Sequence, residues 1–281
     1  MFPLTLSIEL LTVVFEEAIA FWTFKDLSAP YWRLYSNLTS GAYIYHADHT
    51  MELIPGSAYL IPPETAFSAD HSGSTAHLYL HFTVGEPYDR LGPGVYPFRL
   101  GDEERTIRDR LARVFKSRRE RGLVVQEALL SAAERNAAAG EAAALIFGAL
   151  ARFGGSLPEP PSRDVRIDRL IRSIDEARGR APANRELSEM IGMNEDSMIR
   201  LFRAETGETP ARWSLRRRID RACVLLSHSD RTIKEIAGIC GFSDRNYFTT
   251  AFARWRGKPP AQWRKEQTGH RQSGTPDPDG N

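Results

Sequence analysis

At 281 residues the chain is long enough for two domains, each with its own core. A composition of 42% hydrophobic and 26% charged residues excludes a disordered chain. The net charge of +1 hides an asymmetry: residues 1–161 carry 14 Lys and Arg against 19 Asp and Glu, and residues 162–271 carry 23 against 15. Within the latter, residues 210–271 carry 14 against 5, so attraction to a polyanion is expected from the C-terminal part alone.

The first twenty residues mix apolar side chains with Glu9, Glu16 and Glu17 and have no basic leader, so no signal peptide is expected. From about Tyr31 to Phe98 short β-type runs (YWRLYSNLTSG, AYIYHAD, GSAYLIPPE, AHLYLHFTVG) alternate with Gly41, Gly56, Pro62-Pro63, Gly73 and Gly85. That is the pattern of an antiparallel sandwich or barrel. Alternation in His77–Phe82 puts His77, Tyr79 and His81 on one face and Leu78, Leu80 and Phe82 on the other. Two helices are predicted next. One runs over about Glu103–Arg121, with Ile107, Leu111, Val114 and Phe115 on one stripe, and one over about Leu123–Phe153, with Leu129, Leu130, Leu145, Ile146 and Leu150. Gly154-Gly155-Ser156 and Pro158–Pro161 read as a linker, and the Gly, Pro, Asp and Ser residues beyond Gln267 as a disordered tail. No run of about 18 uncharged apolar residues occurs, so no membrane span is expected. Cys223 and Cys240 fall at apolar helical positions, which suits a reducing cytoplasm.

The C-terminal part contains an internal repeat at an offset of fifty residues: Met198 and Phe248, Phe202 and Phe252, Gly207 and Gly257, Pro210 and Pro260, Trp213 and Trp263. Each copy reads as a short helix, a turn containing Gly, and a second helix ending in Gly. In the first copy Asn184 is the expected N-cap, Leu187 and Ile191 are apolar, Gly192-Met193-Asn194 is the turn, and a helix runs from Glu195 to Thr206. In the second, Thr232 and Glu235 make a capping box, Gly241-Phe242-Ser243 is the turn, and a helix runs from about Asp244 to Arg256. Pro210 opens a long helix through Leu226 that joins the copies.

The second helix of each copy has one apolar face, Met198, Leu201 and Phe202 or Phe248, Phe252 and Trp255. The opposite face is left to Asp196, Ile199, Arg200 and Arg203, and to Arg245, Asn246, Thr249, Thr250 and Arg254. Such a face, laid in the major groove of double-stranded DNA, reads base edges through amides, guanidinium groups, hydroxyls and methyls. Arg218 and Lys258 are candidate phosphate contacts.

The segments MIRLFRAETG, GETPARWSLRRRIDRACVLL and TIKEIAGICGFSDRNYFTTAFARWRGKPPAQWR closely resemble the AraC/XylS family of bacterial transcription activators over about Val165–Arg264. The resemblance implies a seven-helix domain with base contacts from Asp196, Ile199 and Arg200 on the first reading helix and from Arg245, Asn246, Thr249 and Thr250 on the second. Ile199 stands where a polar reader is frequent in that family, and Thr250 where Arg or Lys is frequent. NLTSG, PGSAYLIPPE and HLYLHF resemble the family's cupin-like sensor more loosely. That implies a β-barrel pocket for a small effector, with a sugar among the candidates, followed by helices that pair two subunits, and RNA polymerase as a partner. His77 and Tyr79 would point into the pocket, with Tyr35 and His81 as further candidates.

Five histidines of the β region, His46, His49, His71, His77 and His81, invite a metal-binding reading. The cupin pattern His-x-His followed by Glu is absent, and Phe67 stands after PPE where a ligating His is expected, so no metal, cofactor or catalytic residue is assigned. The aromatic cluster Phe21, Trp22, Phe24, Tyr31, Trp32 and Tyr35 reads as core and barrel edge, with stacking on an effector as the alternative. The expected fold class is α+β multidomain: a cupin-like antiparallel β-barrel with following helices, then an all-α domain with two helix-turn-helix motifs. The expected boundaries are 1–100 for the barrel, 101–155 for a helical dimerisation segment, 156–163 for the linker, 164–267 for the DNA-binding domain and 268–281 for the tail. The function expected is that of a cytoplasmic, homodimeric, effector-controlled transcription regulator. The rival readings are a metal-dependent cupin enzyme with an accessory DNA-binding module and an effector-independent DNA-binder.

Overall fold

A computed structural model describes residues 8–19, 22–85, 87–119, 131–158, 163–177 and 179–268. Phe21, Leu129, Leu130, linker residues 159–162 and the tail beyond residue 268 lie outside the described residues. The chain divides into two compact units, Met1–Glu159 and Pro160–Asn281.

The first unit contains nine strands, β1 (Ile8–Glu16), β2 (Phe24–Leu27), β3 (Trp32–Asn37), β4 (Ala42–His46), β5 (His49–Glu52), β6 (Ser57–Ile61), β7 (Phe67–His71), β8 (His77–Val84) and β9 (Tyr96–Arg99). The expected barrel is built from two facing antiparallel sheets, of order β1-β8-β3-β6-β9 and β2-β7-β4-β5. The alternation in β8 does what its period dictates. Leu78, Leu80 and Phe82 are fully buried in a core that includes Trp32 and Leu34 on one side and Leu111, Phe115, Leu145, Ile146 and Leu150 of the following helices on the other. The opposite face of the same sheet turns Tyr35, Tyr59 and Ile61 toward Ile44, Phe67 and Ala69 of the smaller sheet. Strands β3 and β6 are buried at every position because they lie between both layers. The aromatic cluster is therefore split. Trp32 stacks on Phe82 in the helix-facing core, and Trp22, Phe24 and Tyr35 belong to the core between the sheets.

Helix α1 spans Asp102–Arg119 and α2 spans Ala132–Phe153. The sequence pattern started α2 near Leu123, but Ser131 caps it: Ser131 Oγ accepts from Glu134 N at 3.3 Å and the Glu134 carboxylate accepts from Ser131 N at 2.8 Å. By length and hydropathy alone residues 132–156 suffice to cross a bilayer. The apolar stripe Ala138, Ala142, Leu145, Ile146, Ala149 and Leu150 is instead buried within the unit. Of the expected stripe, Leu145, Ile146 and Leu150 are thus buried inside one chain, and the large apolar side chain α2 leaves exposed is Phe147.

The second unit contains, among the described residues, α3 (Val165–Glu176), α4 (Asn184–Met190), α5 (Glu195–Thr206), α6 (Pro210–His228), α7 (Ile233–Ile239), α8 (Arg245–Arg256) and α9 (Pro260–Thr268). Asp164, Asn194, Thr209, Thr232 and Asp244 each place a side-chain oxygen on the opening backbone N–H groups of α3, α5, α6, α7 and α8. Helix α4 departs from expectation. Its cap is Ala183, with no side-chain hydrogen bond, and Asn184 is already the first helical residue, so its amide is not in the extended backbone position that capping requires.

Truncating Phe252, which is fully buried, is expected to cost about 3–5 kcal/mol in urea unfolding, whereas Phe147→Ala is expected to stay within about 0.5 kcal/mol. Equal losses from the two would contradict this placement.

Candidate nucleic-acid interface

The sequence repeat is a structural repeat. Phe202 of α5 meets Trp213 of α6 edge-on at 5.9 Å and 82°, and Phe252 of α8 meets Trp263 of α9 at 5.9 Å and 77°. Each reading helix ends on a glycine in the left-handed region, Gly207 at φ +80° and Gly257 at φ +74°. Each short helix closes by the same pair of bonds into a glycine turn, with Met193 N donating to Ser188 O at 3.0 Å and Phe242 N to Ala237 O at 2.9 Å. The offset is forty-nine before the turn and fifty after it, so the second turn carries one extra residue, Ser243.

Burial of Met198, Phe202, Phe248 and Phe252 turns the other face of each reading helix to solvent. On α5, Asp196, Arg200 and Arg203 are exposed, and Arg200 Nη2 donates to Ser197 Oγ at 3.2 Å. Ile199 is half-buried against the edge of the core shared by α3, α4 and α5, so only part of it is presented. On α8, Arg245, Asn246, Thr250 and Arg254 are exposed, while Thr249 is half-buried and spends its hydroxyl proton on Arg245 O at 2.9 Å. The α8 face has no acidic residue, whereas α5 carries Glu195, Asp196 and Glu205. The second motif is therefore the stronger attractor of phosphate.

Tyr247 was missed from sequence. It is 58% exposed and lies on one stripe with Thr250 and Arg254, although its ring also reaches Phe242 at 6.0 Å. Assigning aromatic residues to the packed face concealed it.

Both candidate phosphate contacts are engaged within the domain. Arg218 of α6 donates from Nε to Cys240 O at 2.7 Å and from Nη2 to Gly241 O at 2.6 Å, with its guanidinium carbon 3.8 Å from the centre of the Phe242 ring. Burial lowers its pKa, and desolvation likewise pushes the Cys240 thiol up to about 11. Arg218 is committed to the carbonyls at the end of α7, where a helix favours a cation. Lys258 Nζ pairs with Glu266 at 2.6 Å. The exposed cations without a side-chain partner among the described residues include Lys234 on α7 and Lys265 on α9, besides Arg245 and Arg254.

In the first unit, Tyr35, His77, Tyr79 and His81 do come together between the sheets. Ring centres are 5.1 Å apart for Tyr35 and His77, 5.5 Å for His77 and Tyr79, and 5.1 Å for Tyr79 and His81. His77 is fully buried, its Nδ1 2.7 Å from Asn37 Oδ1, and burial raises the Tyr35 pKa. The sequence reading missed Arg33, which is 1% exposed, with its guanidinium carbon 4.8 Å from the Tyr31 ring centre and 5.4 Å from that of Phe67. The alternation Arg33, Tyr35, Asn37 along β3 was the available signal. Of the histidines, His46 Nδ1 lies 2.8 Å from Ala66 O, and no group of three His, Cys, Asp or Glu able to hold a metal ion occurs among the described residues.

Two helix-turn-helix motifs with outward polar faces define the second unit as a DNA-binding domain of the double helix-turn-helix class. Residues 187–266 match the model of a helix-turn-helix domain family. Over 139 residues the chain is 33% identical to the HTH-type transcriptional activator RhaR of Klebsiella pneumoniae, covering 47% of this chain and 50% of the relative. The RhaR of Salmonella schwarzengrund is 35% identical over 136 residues, covering 46% and 48%. The match thus spans about half the length of these relatives. A structure of ToxT from Vibrio cholerae superimposes on 94% of this chain and 100% of its own at a TM-score of 0.50 and 13% identity, a likeness of fold. The C-terminal domain is thus a helix-turn-helix domain similar over its matched length to that of transcriptional activators.

Asn246→Ala is expected to relax preference at one base position by about 1–3 kcal/mol. Lys234→Ala is expected to weaken all sequences alike and to lower the salt slope by about one, read from binding isotherms at several salt concentrations. Unchanged discrimination in the Asn246 variant contradicts the placement of α8 in a groove.

Proposed function

We propose that this chain is a sequence-specific, double-stranded-DNA-binding transcription regulator of the activator type. It reads two successive major-groove segments with α5 and α8 and is controlled by a small molecule held between the sheets of its N-terminal unit. One observation carries the reading. The same aromatic pair, at the same distance in both copies, turns two differently composed polar faces outward. Two copies joined by one helix suit half-sites about one turn, roughly 34 Å, apart on one side of the duplex. An activator's role implies RNA polymerase as a partner and places the protein in the compartment that holds the DNA. Two copies of the chain pair as a homodimer through surfaces other than the apolar stripe of α2, which is buried within the unit.

For the effector, the aromatic walls of Trp22, Tyr35 and Tyr79 together with the buried Arg33 favour a molecule with both a flat or apolar face and acceptor oxygens. Binding would shift an existing equilibrium between DNA-competent and DNA-incompetent states.

Selection from a randomised duplex pool with the full chain at near-physiological salt is expected to return a bipartite motif; a single block or no enrichment contradicts two-groove reading. A thermal-shift screen of sugars and small carboxylates is expected to give hits whose stabilisation is lost in Tyr35→Ala. Hits that stabilise the variant equally contradict the sensor site.

A further inference from the structure

The two copies differ in one respect that matters for reading. In the first, the turn glycine Gly192, at φ +66°, has open space around it: a methyl group added there would meet nothing within 4 Å. In the second, the equivalent Gly241, at φ +74°, is pressed against the connection between α3 and α4 that precedes the first copy. A methyl on Gly241 would lie 1.6 Å from the carbonyl oxygen of Gly179, in the connection between α3 and α4. Gly179 itself, at φ +123°, faces back, with an added methyl only 2.4 Å from Ile239 O. The backbone of the α3–α4 connection, which leads into the first motif, thus touches the backbone of the second at a pair of glycines.

The same turn is gripped from its other side. Arg218, in the middle of α6, holds Cys240 O and Gly241 O by two hydrogen bonds of 2.7 and 2.6 Å and covers Phe242. These are the open carbonyls at the end of α7, so the guanidinium satisfies acceptors that the helix leaves unpaired. Two further ion pairs, Asp175 with Arg217 and Asp220 with Arg256, tie α3 to α6 and α6 to α8. A hinge at the second motif would have to break the glycine contact and the clamp together.

We propose that Gly179, Gly241 and Arg218 form a latch that fixes the separation and rotation of the two reading helices, making the length between the two DNA half-sites a specificity determinant. The inference rests on the two-groove reading above. Arg218 acts here as a positioning residue and touches no DNA. One added base pair between half-sites turns the second by about 35° and shifts it by about 3.4 Å. A latched pair cannot follow such a change, and an unlatched pair can.

The test is binding of the full chain to a spacer series built on the motif recovered by wild type, with zero, one or two base pairs added or removed. Wild type is expected to lose about tenfold or more in affinity per added pair, equivalent to about 1.4 kcal/mol. Arg218→Lys, which keeps the charge but loses the fork, and Gly179→Ala are expected to flatten that loss to less than about threefold, with an unchanged salt slope. Gly192→Ala imposes a similar left-handed backbone strain without touching the other motif and is expected to keep the wild-type spacer profile. Far-ultraviolet circular dichroism confirms that each variant is folded; a variant that fails this is replaced by Arg218→Gln. Identical spacer profiles for wild type and the folded latch variants overturn the latch, as does a flattened profile in Gly192→Ala. A fall in salt slope for Arg218→Lys or Arg218→Gln overturns its positioning role in favour of a phosphate contact. Failure of wild type to return a bipartite motif overturns the DNA reading itself.

Discussion

The C-terminal domain depends on an edge-on contact between a phenylalanine of each reading helix and a tryptophan of the helix that follows. Phe202 against Trp213 and Phe252 against Trp263 bury the inner face of α5 and α8, and with it decide which residues stay outside. The contact is apolar and geometrically specific, worth more than the area it covers. Because it is repeated with nearly the same geometry, both reading helices are presented in equivalent ways. Their chemistry differs, acidic and basic on α5 but basic and amide-bearing on α8.

Arginines in this domain divide into those that build it and those left to meet a ligand. Arg218, Arg217 and Arg256 are consumed by carbonyls and carboxylates between helices. Arg203, Arg245 and Arg254 remain exposed on the reading helices. Sequence alone cannot sort them, since every one lies on a helix rich in cations. Sorting requires knowing which helices converge, as the intramolecular partners of Arg218 and Lys258 show.

Much of the rest was legible. The offset of fifty residues, the box at Thr232 and Glu235, and the glycine stops at Gly207 and Gly257 are local signals whose physics acts within one or two turns. The alternation of His77–Phe82 survived because a half-buried strand must obey a period of two. What failed was non-local or short. Strands β1 and β2 precede the region read as β because their pairing with β8 and β7, rather than their own pattern, defines them. Apolar periodicity alone does not mark the start of α2, which the capping box at Ser131 and Glu134 defines. Arg33 escaped notice because a buried arginine runs against the ordinary expectation for that side chain.

The central claim, that both motifs enter the major groove on one side of the duplex, is tested most directly by methylation interference at guanine N7 on a bound site. The account predicts two clusters of interfering guanines on one face, separated by about 10 base pairs, with the cluster under α8 sensitive to Asn246→Ala and that under α5 sensitive to Arg200→Ala. A single cluster, or two clusters that both respond to one helix alone, would contradict it.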